Sequence, residues 1–203
     1  QISPDGQFTA YVAGGSIYVK DNSGEQAIEI FRGVNSVSSL RWSPSGNEIF
    51  FAANRDYTWS SYIIPKLGGK IQQLKYVRSG CWSPDGNLIA GVKFTEKKII
   101  LLKRETDEIL KTIEPVGEFT WIYDIDWSPS SDQIIFSTLD DKTGKNAIWI
   151  MRTDGTEQRK ILEEKKSIYC PRWSSDGNNI YYLQSNELIW QPSELTHDLM
   201  KLE

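Results

Sequence analysis

Residues able to do chemistry are few in this chain and poorly spaced for it. There is one histidine, His197, near the C-terminus, and it reads as part of an exposed strand end. A Ser-His-Asp arrangement would have to use it, yet no Gly-x-Ser-x-Gly elbow is present to expose a nucleophilic serine. One histidine also excludes a His-Glu-x-x-His zinc site, and no Cys-x-x-Cys pair occurs. Gly14-Gly15 and Gly68-Gly69 read as hairpin turns rather than phosphate-cradling loops. Cys81 and Cys170 make no disulfide framework and read as small buried strand residues. Asp140-Asp141-Lys142-Thr143-Gly144-Lys145 lacks the spaced ligands of a calcium loop. The run Glu163-Glu164-Lys165-Lys166 is a solvated turn. The reading is therefore of a non-enzymatic chain with no cofactor and no metal.

Bulk properties narrow the partners. The net charge is −4 over 203 residues, with 39% apolar and 25% charged side chains, the balance of an ordinary globular protein. A nucleic-acid binder normally carries a basic footprint, so no nucleic acid is expected as the main partner. No run approaches the ~18 apolar residues of a membrane-spanning helix. The chain starts at Gln1 without a signal-like segment and its first motif follows at Ser3, which reads as an excised or processed piece of a longer protein. The closing Leu202-Glu203 reads equally as native sequence or as a cloning scar.

What must position these residues is a repeat. Five segments align: Ile2-Ser3-Pro4-Asp5-Gly6-Gln7, Trp42-Ser43-Pro44-Ser45-Gly46-Asn47, Trp82-Ser83-Pro84-Asp85-Gly86-Asn87, Trp127-Ser128-Pro129-Ser130-Ser131-Asp132 and Trp173-Ser174-Ser175-Asp176-Gly177-Asn178. Their first serines are 40, 40, 45 and 46 residues apart, the length of a four-stranded propeller blade. Pro presets φ for a β-turn, Asp or Ser bonds back to the backbone, and Gly accepts positive φ at the exit. Asp5, Asp85 and Asp176 are thus turn formers rather than catalytic acids. The preceding Trp closes a strand and wedges between neighbouring blades.

Between the turns run apolar stretches of strand length. In the second repeat these are residues 48–53, 60–64, 70–74 and 77–82; in the third, 88–93, 98–103, 108–113 and 122–127; in the fourth, 133–139, 147–152, 159–162 and 168–173. Continuous apolar runs suit strands buried on both faces. No long 3.6-residue period appears. The fold class is all-β, a propeller forming a single domain over residues 1–203, with repeats of about 3–42, 43–82, 83–127, 128–173 and an incomplete 174–203. No strand precedes Ser3, and three strands fit after Ser174, at 179–184, 187–191 and roughly 197–202. The register points to part of a ring of six or more blades; a complete five-bladed ring is the alternative. Open blade edges would invite self-association.

These turns, together with Ala147-Ile148-Trp149-Ile150-Met151-Arg152-Thr153-Asp154-Gly155, resemble the TolB-like propeller repeats of bacteria, relatives of the WD-type repeat. Residues 63–70 are similar to a stretch found in propellers attached to bacterial receptor-like kinases. The resemblance implies a protein-interaction or ligand-sensing module of a larger bacterial protein, in a periplasmic or other extracytoplasmic location. The alternative it implies is the non-catalytic propeller of a prolyl-oligopeptidase-type peptidase whose hydrolase domain lies elsewhere. Metal-dependent lyase propellers use several histidines, and the single histidine argues against that class.

On such a fold Asp124 and Asp126, two apart in a strand, project to one face near the axis. They either hold a cation there or bond to backbone and solvent, the commoner arrangement. The turns lie at one end of each blade and the variable loops 32–36, 54–59, 115–121 and 140–146 at the other, where binding residues concentrate. The candidate binding set for a protein partner or small ligand is Arg55, Tyr57, Trp59, Phe119, Trp121, Asp140 and Lys142, an aromatic–arginine group of the kind found at interface hot spots. Trp59 and Trp121 have an alternative role in covering blade edges.

Overall fold

Each antiparallel sheet has its strands in chain order, but it is offset by one strand from the repeat read in the sequence. The stretches ending at Trp42, Trp82, Trp127 and Trp173 close one repeat and form the inner strand of the next blade. The computed structural model describes residues 1–55, 57–185 and 198–202. Among these, the first blade holds β1 (Phe8–Ala13), β2 (Ser16–Asp21) and β3 (Ala27–Arg32). The second holds β4 (Ser36–Trp42), β5 (Glu48–Arg55), β6 (Thr58–Pro65) and β7 (Gln72–Leu74). The third holds β8 (Ser79–Trp82), β9 (Leu88–Lys93), β10 (Lys98–Lys103) and β11 (Ile109–Ile113). The fourth holds β12 (Trp121–Trp127), β13 (Gln133–Asp140), β14 (Lys145–Arg152) and β15 (Arg159–Glu164), and the fifth β16 (Ser167–Trp173), β17 (Ile180–Ser185) and β18 (Asp198–Leu202). Successive blades meet through β1, β4, β8, β12 and β16. The protein is an all-β propeller of four-stranded blades, with three described strands in each end blade.

The end blades carry the two departures from the expected strand plan. In the first, Ile2 forms a single antiparallel bridge to Thr9 where an inner strand stands in the other blades. In the fifth, the strand paired with β17 is β18, with Ile180 opposite Leu202 and Gln184 opposite Asp198. Residues 187–191, read from the sequence as the next strand, lie outside the described residues, as does His197.

Burial on both faces explains the continuous apolar runs. On β5, Phe51 joins Ala10, Ile17, Val19 and Ile30 of blade one, while its neighbour Phe50 joins Val77, Trp82, Ile89 and Ile100 of blade three. Phe136 and Trp149, ring planes 6° apart, pack with Ile99, Leu101 and Ile113 between blades three and four. Each such layer supplies the non-directional stabilisation that a lone amphipathic sheet lacks. The end blades are one-sided. Tyr11, stacked on Tyr18, is exposed on the outer face of the first, and Tyr181 and Leu199 on that of the fifth.

The turns are held from their serine. The serine hydroxyl oxygen accepts the backbone N–H five residues on, from Phe8, Glu48, Leu88, Gln133 and Asn179, at 2.9–3.1 Å. The same hydroxyl donates to the turn carboxylate, at 2.5 Å from Ser3 to Asp5 and from Ser83 to Asp85, and at 2.6 Å from Ser174 to Asp176. These bonds hold the Asp176 carboxyl down at about 2. Where the motif departs, the hub adapts. Ser43 shares its bond with Ser45 at 3.1 Å, and Ser128 donates to Asp132, two turn positions later, at 3.1 Å. Ser131 stands where the other turns have glycine and adopts the same left-handed backbone, with φ of 66°.

The motif tryptophans seal the layers and, in the first blades, tie each blade to the one before. Trp42 Nε1 donates to the Gln1 carbonyl at 2.9 Å, and Trp82 Nε1 to the Arg41 carbonyl at 3.4 Å. Trp127 instead turns to its own loop, donating to the Ser131 carbonyl at 3.2 Å.

Candidate functional site

Antiparallel strands put the serine turns at one end of every blade and the β5–β6 and β13–β14 hairpins, with the blade-to-blade connections, at the other. At that second end the β5–β6 hairpin is tight, with Arg55 opposite Thr58 and Asn54 opposite Trp59. Its tip residue Tyr57 has a left-handed φ of 62° and is 93% exposed. Arg55 is exposed beside it. Trp59 is half-buried, and the Arg78 guanidinium lies over its ring, 5.2 Å from the centroid.

In blade four, Trp121 opens β12 and its indole N–H donates to the Asp141 carboxylate at 2.6 Å. The Asp141 backbone N–H in turn donates to the Thr120 hydroxyl at 2.9 Å. Asp140 holds its own loop, accepting from the Lys142 N–H at 3.0 Å and the Thr143 hydroxyl at 2.6 Å, which lowers its carboxyl below the usual range. Lys142 is exposed at this loop. Phe119 differs from the others in packing inward, edge-on to Trp149 with centroids 6.5 Å apart. The seven candidates thus form a blade-two group of Arg55, Tyr57 and Trp59 and a blade-four group of Phe119, Trp121, Asp140 and Lys142. Arg78 and Tyr123 bridge them. Half-burial and then the charge of Asp141 lift the Tyr123 phenol to about 12, against the pull of Arg78. Burial lowers Arg78 while Tyr123 holds it up.

Below this face the inner strands carry a charged cluster. Asp124 and Asp126 both reach from β12 to β16 and bond to its backbone. Asp124 accepts from the Cys170 N–H at 3.3 Å, and Asp126 from the Trp173 N–H at 2.9 Å. Arg41 of blade two and Arg172 of blade five both approach the same Asp124 oxygen, at 3.8 and 3.6 Å. Burial raises Asp126 to about 6, resisted chiefly by Arg41. Burial also raises the free thiols of Cys81 and Cys170, which disfavours the reactive thiolate form. Among the described residues no group of three or more His, Cys, Asp or Glu side chains could hold a metal ion.

Known proteins place this architecture. The putative TolB of Agrobacterium tumefaciens superposes with a TM-score of 0.80 at 20% identity, over 100% of this chain and 75% of that one. TolB of Acinetobacter baumannii gives 0.67 at 16% identity, over 92% of this chain and 45% of that one. The chain has a TolB-like β-propeller fold. No family model matches it. In sequence, dipeptidyl-peptidase 5 of Porphyromonas endodontalis is 27% identical over 82 residues, 38% of this chain and 11% of that protein. The chain therefore spans a small part of its curated relative's length.

Sequence reasoning passed over Arg78, Tyr123, Arg41 and Arg172 because each sits inside or just before an apolar run that reads as plain strand. The signal was in the register of the TolB-like repeat. Ser38, Arg78, Tyr123 and Tyr169 all stand four residues before a motif tryptophan or its equivalent. Arg41, Cys81, Asp126 and Arg172 stand one before it. Equivalent positions on inner strands face a common axis, so a polar set at one of them is a cluster in space. No helix of the described residues is long and apolar enough to cross a membrane.

Proposed function

We propose that this TolB-like propeller is a non-enzymatic module that binds a protein partner on its irregular-loop face. It belongs to a larger bacterial protein acting outside the cytoplasm. The observation that carries the reading is the band Trp59–Arg78–Tyr123–Asp141–Trp121, which runs from blade two to blade four beside the fully exposed Tyr57. Aromatic rings with a guanidinium laid over one of them, set on rigid strands, are what an interface hot spot is made of. The exposed apolar faces of the end blades favour a ring with further blades on either side. A photo-crosslinking residue at Tyr57 should capture a partner from an extracytoplasmic extract, whereas one at Asn87 on the turn end should not. The Trp59→Ala/Trp121→Ala double variant should fold normally and lose the adduct. Crosslinks that survive the double variant, or that arise equally from position 87, would refute this face as the site.

A second reading has one observation in its favour, the 82-residue likeness to a dipeptidyl-peptidase. On that reading the module is the non-catalytic propeller of a serine peptidase. Fused to such a domain it would bind peptides rather than a folded partner, and the same crosslinker would capture substrate peptides.

A further inference from the structure

The axial cluster is unsatisfied in one respect. Arg41 is 12% exposed through its side chain, and its Nε and Nη2 are buried with no hydrogen-bond partner among the described residues. A guanidinium has five N–H donors in a fixed fork, and burying the three on Nε and Nη2 without acceptors is strongly unfavourable. Asp124 does not supply the acceptor. Its Oδ1 lies 3.8 Å from Arg41 Nη2 and 3.6 Å from Arg172 Nη2, close enough for charge attraction and too far for a hydrogen bond. Its other oxygen is taken by the Cys170 N–H. Asp126 bonds to the Trp173 N–H and is partly buried. Two arginines from blades two and five thus converge across the axis without closing on any carboxylate.

We propose that the space between Arg41 and Arg172 is a binding site for a small monovalent anion, a halide or a carboxylate, held by the two guanidinium groups. The charge count supports this. Arg41 and Arg172 stand against Asp124 and Asp126, and burial leaves Asp126 protonated below about 6, so the cluster then carries one net positive charge. The groups facing Asp126 are Arg41 from β4, Cys81 from β8, Asp124 on its own strand and the Trp173 N–H of β16. Asp126 takes on its negative charge as pH rises through about 6, so anion affinity falls there. The site is independent of the partner-binding face.

The test uses the chain as it stands. Thermal unfolding is followed while chloride or acetate replaces gluconate at fixed ionic strength, and crystals are soaked in bromide for anomalous diffraction. A saturable rise in Tm with chloride or acetate is expected, with a half-saturating concentration roughly five- to tenfold higher at pH 8 than at pH 5, the scale of ordinary site-to-site coupling. Asp126→Asn should make that concentration independent of pH, and Arg41→Met should abolish the response. A response to chloride but not acetate assigns the site to a free halide, and the reverse to a carboxylate. If Arg41→Met does not fold, bromide within hydrogen-bonding distance of Arg41 in the native crystal supports the site. Water alone between the arginines in bromide, with no anion-specific change in Tm, overturns the proposal. So does a response that Arg41→Met retains in full.

Discussion

The serine turns and the inner strand β12 that leads into one of them treat their carboxylates in opposite ways. At the serine turns, Asp5, Asp85 and Asp176 are exposed, each accepts a hydroxyl and a backbone N–H, and each is held more acidic than usual. Near the end of β12, just before Trp127, Asp126 is partly buried beside an arginine that it does not bond, and it is held less acidic. The turn is complete within six consecutive residues, so it repeats faithfully. The axis depends on side chains from several blades, so it varies from blade to blade. The repeat therefore supplies a scaffold at one end and leaves the axis and the opposite loops for individual chemistry.

The largest expected effect that separates the two is at Asp126. Its folded value, about 6, lies above the ordinary carboxylate value, so the folded state binds the extra proton. Stability is then highest near pH 4 or below for this group and is lost as pH rises through about 6, by about 3 kcal/mol in all. Asp126→Asn keeps an acceptor for the Trp173 N–H and removes the charge. It should stabilise the protein by up to about 3 kcal/mol at pH 8 and by nearly nothing at pH 4, read from urea unfolding at both. The turn aspartates have the opposite sign: their contribution is present above pH 4 and fades as pH falls toward about 2, the value of Asp176.

Ser83→Ala should come next. It strands the Leu88 N–H and removes the hydroxyl donor to the Asp85 carboxylate, which keeps its bonds from Asn87, at a cost of about 1–2 kcal/mol. Ser43→Ala, whose partner is the neutral Ser45, should cost about half as much, since charge-assisted bonds are roughly twice as strong. Equal losses in a denaturant titration would show that the carboxylate adds nothing to the hub. Ser131→Gly should have the smallest effect, a gain of about 0.5–1 kcal/mol from relieving a left-handed serine.

The contrast also sets what the sequence could tell. Turn positions and strand bounds are local, and the period of 40 to 46 residues carried them; the third blade's first two full strands, Leu88–Lys93 and Lys98–Lys103, lie where the pattern puts them. Asp124 and Asp126 were visible as a pair, and they bond to backbone, the plainer of the two roles open to them. Their meeting with Arg41 was not visible, because it joins strands over eighty residues apart and depends on how blades fan around an axis. For the loop face, the aromatic candidates stood out by falling outside the repeat, while Arg78 and Tyr123, which connect them, were hidden within it.

The indole bonds from Trp42 and Trp82 to the backbone of the preceding blade give the stack a direction. A blade's leading side is unlike its trailing side, as overlapping roof tiles are. Two copies meeting through their end blades would therefore join head to tail, with the Tyr181 and Leu199 side of one against the Tyr11 and Tyr18 side of the next. Such a joint is heterologous rather than self-complementary, so it does not stop at a twofold pair. It closes only when the accumulated rotation reaches a full circle.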